Sequence, residues 1–465
     1  MTTQPGYRTD TEDATSLTGR LAGALRGYRF ETLPGHVVEL SKHCLLDWLG
    51  VTLAGSREPA AAIVRAEALA QGDSARCSLI GTRAKTSPFW AALVNGTASH
   101  ALDFDDVVSA MMGHPTVPIV PALLAAAETS ERADGKAYIT AFVAGLEAEC
   151  RIGAYMAPSH YARGFHVTST VGTFGAAAAC AHWLGLSLLQ WQTAFGLAGT
   201  QAAGLKSMFG TMTKPFHAGR AAACGLLAAR LAANGFTAHP DVLDTKQGFG
   251  PTQSDTLKPQ AVLHDLGRTF GITGVLFKYH AACYLTHAGI EALLQLKRER
   301  DFTPEQVTSV RLRVGPGHLG VCNIPTPKTA LEAKFSLRFT AAMAIATGDL
   351  GEGAFTDALV RDPRLVALSD KVTVEPVTTL PNSYTSEVEV ALADGSVLRA
   401  VGDVSKPAAP SELDRQWRKL AAKFHSLADP IIGEPQAGQI VERVGRLEAS
   451  GDIREIVALA CTPGT

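Results

Sequence analysis

Residues 164–205, GFHVTSTVGTFGAAAACAHWLGLSLLQWQTAFGLAGTQAAGL, run for 42 positions without a Lys, Arg, Asp or Glu. Read as a membrane segment the stretch fails. His166, Thr168, Ser169, Thr170, Gly172, His182, Gln190, Gln192 and Gln201 interrupt every window in which a span would need roughly 18–20 consecutive apolar residues. Residues 171–184 and 188–203 instead place apolar side chains at three- and four-residue spacing, as buried helices do. Alanine favours helix, and Ala and Gly on so many faces imply helices packed closely together.

The same spacing extends outward. Residues 17–25, 37–53, 60–70, 89–101, 120–127, 137–155 and 217–233 all read as helices, with Gly or Pro at the breaks. Alternation of period two is almost missing before residue 267. It then appears at 307–314 (VTSVRLRV), at 371–377, and at 387–401 (EVEVALADGSVLRAV), where Ala393-Asp394-Gly395-Ser396 marks a hairpin turn. One helix, 331–346, falls among these strands. Segments 411–424, 436–449 and 453–460 return to helical spacing, and 406–410, with two prolines, marks the return. The expected fold is mainly α. A large all-helical domain is built from both chain ends, residues 1–267 and 404–465, with a smaller α+β domain over 268–403.

The composition excludes several functions. The chain has 465 residues, 46% of them hydrophobic and 18% charged, with 42 Lys+Arg against 44 Asp+Glu and a net charge of −2. That balance excludes a disordered chain. It gives no electrostatic reason to bind nucleic acid or an anionic membrane. Eight scattered cysteines without a C-x-x-C pair point to reduced thiols and a cytoplasmic location. MTTQPGYRTDTEDATS at the start has no apolar core and does not read as a secretory signal. Walker-type and dinucleotide-binding glycine loops, H-E-x-x-H and G-x-S-x-G are all missing from the sequence.

Four segments place ionisable groups in these weakly charged surroundings. In 100–115, HALDFDDVVSAMMGHP, the carboxylates of Asp103, Asp105 and Asp106 fall within four residues and repel one another. Each must be solvated, cap a helix or meet a cation, and His114 follows just before Pro115. A metal site is the weaker reading of this DxDD cluster, and no metal is expected. In 163–175, His166 precedes a Ser/Thr cluster suited to capping the next helix or holding an anion. In 210–219, GTMTKPFHAG, Lys214 and His217 stand ahead of an apolar helix. In 277–287, FKYHAACYLTH, Lys278 lies near His280, Cys283, Tyr284 and His287. Each lysine either reaches solvent or holds an anionic ligand. Together they describe acid/base chemistry on a small carboxylate substrate without a redox or nucleotide cofactor.

These segments, in this order, resemble the MmgE/PrpD superfamily, which includes 2-methylcitrate dehydratase, cis-aconitate decarboxylase and iminodisuccinate epimerase. The matching strings are HALDFDD with GHP, GFHVTSTVGTFGAAAA, GTMTKPFHAG, KYHAACYLTH and LEAKFSLRF, spread over about residues 40–340. The resemblance implies an all-helical domain with a smaller lid domain, an active site between the two, no metal or organic cofactor, and a homodimer. By motif position it implies that His114, Lys214, Lys278 and Asp103 carry catalysis, and that His166, His217, Cys283 and Tyr284 bind substrate. His114 would transfer the proton at carbon, the lysines would neutralise developing enediolate charge, and Asp103 would orient an imidazole or a lysine.

Within the family, cis-aconitate decarboxylases carry His where this chain has Cys283 and Tyr where it has Val321. The GTMTKP string and the Cys283-Tyr284 pair look closer to the epimerases. The reading is therefore an isomerase or lyase on a di- or tricarboxylate, with epimerisation ahead of dehydration and then decarboxylation. In an epimerase, His114 or Lys214 would face Tyr284 or Cys283 across the substrate. A catalytically silent carboxylate-binding homologue is the non-enzyme alternative.

Overall fold

The computed structural model describes residues 14–72 and 74–461. The N-terminal stretch read as lacking a secretory signal lies almost wholly outside the described residues. By contacts the chain forms two compact units. One comprises residues 1–101, 105–277 and 408–465, the other residues 102–104 and 278–407. The alternation in the sequence placed these passages at 267/268 and 403/404. It gave no sign that three residues, 102–104, group with the smaller unit.

The larger unit is built around seven helices. They are α1 (Gly35–Gly55), α2 (Pro88–His100), α3 (Thr116–Ala127), α4 (Gly135–Met156), α5 (Val167–Trp183), α6 (Leu188–Gln201) and α7 (Thr213–Ala233). Local chemistry sets several starts. The Asp134 side chain accepts from the Ala137 N–H at the head of α4. Ser187 and Gln190 form a reciprocal capping box on α6. Pro88 occupies the first turn of α2, where its missing N–H costs nothing.

The charge-free stretch becomes α5 and α6. Every residue of α5 from Val167 to Ala181 is buried, which explains a segment of this length without charge. Among the described residues no helix is long and apolar enough to be a span. Helix α7 packs along α2 and α5, and α5 along α4. Their common core is largely alanine, including Ala91, Ala92, Ala122, Ala125, Ala176, Ala222 and Ala229. Small side chains let the backbones approach, and glycine brings them closest. A Cβ on Gly96 would lie 2.6 Å from the Gly219 Cα, and one on Gly219 would lie 2.1 Å from the Leu93 carbonyl oxygen. This crossing fixes α7 against α2, with His217 two residues before Gly219 and His100 four after Gly96.

The described chain returns to the larger unit through a helix at Leu413–Ile432. Its Lys423 donates to Asp47 of α1 at 2.6 Å, both side chains buried. Two short strand pairs also belong here, Cys77–Ser78 with Lys85–Thr86 and Val107–Val108 with Val275–Leu276. At two residues each they are too short for period two to show in sequence.

The smaller unit holds a four-stranded sheet with β1 (Val307–Val314), β2 (Val372–Pro376), β3 (Thr385–Leu392) and β4 (Val397–Asp403), in the order β2-β1-β3-β4. Strands β1 and β2 are parallel; the other pairs are antiparallel. The β3-β4 turn falls where the sequence put it, with Gly395 at φ 82°. The helix Tyr284–Glu299 packs on β3 and β4. The helix expected over 331–346 is two pieces, Ala330–Ala333 and Leu337–Ala346. Ser336 breaks it by accepting from the Phe339 N–H as the cap of the second piece.

Replacing Gly219 with Ala should destabilise the protein by about 1–3 kcal/mol or more, because the obstacle is backbone that cannot rotate away. Gly438→Ala, at a helical position with open space around it, should be neutral or stabilise by about 0.5–1 kcal/mol. Urea unfolding midpoints of the two variants test the comparison.

Candidate active site

The three neighbouring aspartates have three separate fates, and none reaches solvent. Within the larger unit, α2 ends at His100 and the chain returns at Asp105. The His100 Nδ1 lies 2.9 and 3.0 Å from the two Asp105 oxygens. The His114 Nδ1 lies 2.8 Å from Asp105 Oδ2. Burial opposes ionisation of Asp105, but the two adjacent imidazoles outweigh it and hold the carboxyl well below its usual range. Asp106 meets no cation. It accepts from the Thr116 N–H at 3.3 Å and makes a close contact with the Thr116 hydroxyl. Burial, reinforced by Asp47, pushes its pKa up to about 8. Asp106 is therefore protonated at neutral pH while Asp105 is charged.

More imidazoles gather beside this pair. The His100 ring lies 4.5 Å from that of His114 and 5.9 Å, nearly parallel, from that of His166. The Nδ1 atoms of His166 and His217 approach to 3.0 Å, so one ring donates and the other accepts. Burial lowers His100 and His217 to about 4, with Lys214 adding to both shifts, and holds His166 well below the usual histidine range. These three rings are neutral at pH 7. Lys214 lies in the first turn of α7, only 6% exposed, with its Nζ 5.4 Å from the Phe209 ring centre. The expectation of a helix-capping Ser/Thr cluster after His166 is corrected. His166 itself takes the cap position of α5 and its side chain makes no cap bond. Thr168 accepts from the His114 N–H, and Ser169 donates to the His217 carbonyl, so the hydroxyls join segments instead.

Within the smaller unit, Lys278 is 1% exposed. Its Nζ donates to the Asp103 carbonyl oxygen at 2.6 Å and lies 3.2 Å from the Asp103 carboxylate. Asp103, at φ 51°, is held in a left-handed conformation uncommon for an aspartate. Lys334, from LEAKFSLRF, donates to the Leu102 carbonyl at 3.2 Å and to Glu352 at 2.8 Å. Of the two partners considered for Asp103, the lysine is present as Lys278. The Cys283 thiol is in hydrogen-bonding contact with that of Cys322. The Tyr284 hydroxyl donates to the Val404 carbonyl at 2.7 Å, and burial raises its pKa.

Sequence reasoning thus named His114, His166, Lys214 and His217, which come together in the larger unit. It also named Asp103, Lys278, Cys283 and Tyr284, which lie in the smaller one. It passed over His100, Asp105 and Lys334 as site residues. The signal for His100 and Asp105 was their five-residue spacing across a helix end, invisible until the turn is formed. His100, Asp105 and His114 also bring possible metal-ligand atoms within 4.8 Å. Their 2.8–3.0 Å separations are hydrogen-bond lengths, shorter than the roughly 3.3 Å between ligands of a tetrahedral zinc.

Comparison with known proteins extends over both units. The profile of the MmgE/PrpD N-terminal domain matches residues 19–261 and that of the MmgE/PrpD C-terminal domain residues 280–447. The chain is 29% identical over 430 residues to cis-aconitate decarboxylase of Homo sapiens, covering 88% of this chain and 89% of that protein. It is 28% identical over 481 residues to the cis-aconitate decarboxylase-like protein oryM of Aspergillus oryzae, covering 97% and 98%. It is 25% identical over 460 residues to cis-aconitate decarboxylase of Aspergillus terreus, covering 93% of each.

Protonated Asp106 gives a signature in stability. Its folded pKa of about 8 exceeds the unfolded value near 4, so its contribution is complete below about pH 4 and lost as pH rises through about 8. Asp106→Asn mimics the neutral acid. The variant should gain stability relative to the parent as pH rises across that window, which urea unfolding at pH 5, 7 and 9 measures.

Proposed function

The chain belongs to the MmgE/PrpD family, and from that premise we propose that it is a cofactor-independent lyase acting next to a carboxylate of a small tricarboxylate. Decarboxylation of a cis-aconitate-like substrate is the first reading and dehydration of a 2-methylcitrate-like one the second. The carrying observation is the buried group of Lys214 and four imidazoles around one ionised carboxylate. Either reaction leaves an electron pair on a carbon conjugated with a carboxylate, and such an anion needs cations and N–H donors held against it. Lys214 supplies a charge in surroundings where attraction to a carboxylate is strong. Neutral His166 and His217 can donate hydrogen bonds to carboxylate oxygens. In decarboxylation the C–CO2 bond breaks, its electron pair passes to the allylic carbon, and His114, protonated beforehand from solvent, donates a proton there.

This order reverses the one drawn from motif detail. The relatives bear lyase names, and Tyr284, taken for one face of an epimerase, commits its hydroxyl to the Val404 carbonyl. Dehydration is kept because Cys283 stands where the decarboxylases of the family carry His.

Incubation in D2O with cis-aconitate, 2-methylcitrate, citrate and iminodisuccinate, followed by NMR, separates the readings. CO2 release with deuterium at the protonated carbon supports decarboxylation, and an unsaturated product supports dehydration. Exchange without net turnover overturns the lyase in favour of an epimerase. Binding with silence on every substrate overturns the enzyme. His114→Ala should lose about 10²–10⁴-fold in turnover; near-normal rates would remove His114 from the mechanism. A bound polyanion should raise the depressed imidazole pKa values, so binding should take up protons and tighten as pH falls. Titration calorimetry in buffers of different ionisation enthalpy measures that uptake.

A further inference from the structure

The proposed chemistry needs one basic nitrogen on His114 with a known orientation, and the sequence motifs do not say what provides it. Asp105 is buried and ionised, so the His100 Nδ1, hydrogen-bonded to its oxygens at 2.9 and 3.0 Å, must offer a proton. The His114 Nδ1 faces the same carboxylate at 2.8 Å as an ion-pair contact. A neutral imidazole has a single N–H, so donating from Nδ1 leaves the lone pair on Nε2. The His100 Nε2 is buried and meets no hydrogen-bond partner among the described residues. Leaving that nitrogen unsatisfied is costly, and the compensation visible in the structure is the bond at the other end of the ring. We propose that His100 and Asp105 are positioning residues behind His114: Asp105 fixes both rings with Nδ1–H inward, leaving the His114 Nε2 to transfer the proton at carbon.

This deepens the reading of the site as acid/base machinery and rests on it. The groups facing the pair define its electrostatics. His114, His166, His217 and Lys214 surround His100, and Asp106, which lies beside Asp105, is neutral by burial. Asp105 therefore faces the rings as the ionised member of the two neighbouring carboxyls. When the His114 Nε2 takes a proton, the resulting imidazolium is paired with Asp105. When it gives the proton up, the N–H electrons return to nitrogen, the substrate electron pair forms the new C–H bond, and the ring is again neutral with Nδ1–H in place.

The test uses the full chain and two variants. ¹⁵N-histidine NMR of the substrate-free protein should show His114 and His100 as Nδ1–H tautomers. In Asp105→Asn the Nε2–H tautomer of His114 should become populated, and turnover should fall about 10²–10⁴-fold with KM within a few-fold, as when the orienting carboxylate of a catalytic triad is neutralised. In His100→Gln the side-chain amide can donate to Asp105, so His114 should keep its tautomer and lose less than about 10-fold. A purely structural Asp105 would lower stability without moving the tautomer.

An Nε2–H His114 in the parent protein, or an unchanged His114 tautomer in a folded Asp105→Asn variant, overturns the proposal. Should that variant fail to fold, the parent spectrum and His100→Gln still decide it. Nδ1–H tautomers with no turnover of any substrate would leave the positioning pair standing and remove the lyase reading. Turnover with the opposite tautomer would do the reverse.

Discussion

An ionised carboxylate taken out of water costs several kcal/mol unless donors or cations meet it, and Asp105 meets the hydrogen-bonded His100 Nδ1 at 2.9 Å and the His114 Nδ1 at an ion-pair distance of 2.8 Å. Much of the site follows from this requirement. The rings must turn Nδ1 inward, which sets their tautomers. The adjacent Asp106, kept protonated by burial and by Asp47, rests against Thr116. Asp103 finds a lysine instead. Three carboxylates that look alike in a four-residue string thus hold three different states, and each state is decided by the partner brought to it.

The partners arrive by close helix packing. His100 is the last residue of α2 and His217 lies in the second turn of α7. Gly96 and Gly219 hold the two helices in backbone contact. The alanine core around the crossing excludes water and contributes no competing charge. The same poverty of charge that could be mistaken for a membrane segment keeps three imidazoles neutral, because burial is the largest cause of each shift. Neutral rings donate and accept hydrogen bonds without first giving up a proton. Lys214 then supplies positive charge where an anionic substrate would feel it most strongly.

In the smaller unit the backbone itself is gripped. Lys278 and Lys334 donate to the carbonyls of Asp103 and Leu102, and Asp103 stays in a left-handed conformation under that constraint. Two buried lysines on consecutive carbonyls are an expensive way to hold a turn.

The sequence by itself determined the helical periodicity of the larger unit, the strand alternation at 307–314 and 387–401, the hairpin at Gly395, and the motif order that indicated the family. These are local properties, set by spacing, propensity and turn chemistry within a few residues. It could also nominate His114, Lys214 and Lys278, because ionisable groups stand out where charge is scarce. Tertiary structure alone decided which aspartate is ionised, which is protonated and which pairs with Lys278. It alone showed that Tyr284 is committed to Val404 and that His100 and Asp105 stand behind His114. A pKa or a tautomer depends on burial and on partners far apart in the chain, such as Asp47 near Asp106 and Lys214 near His100. Spacing along the sequence carries no record of those distances.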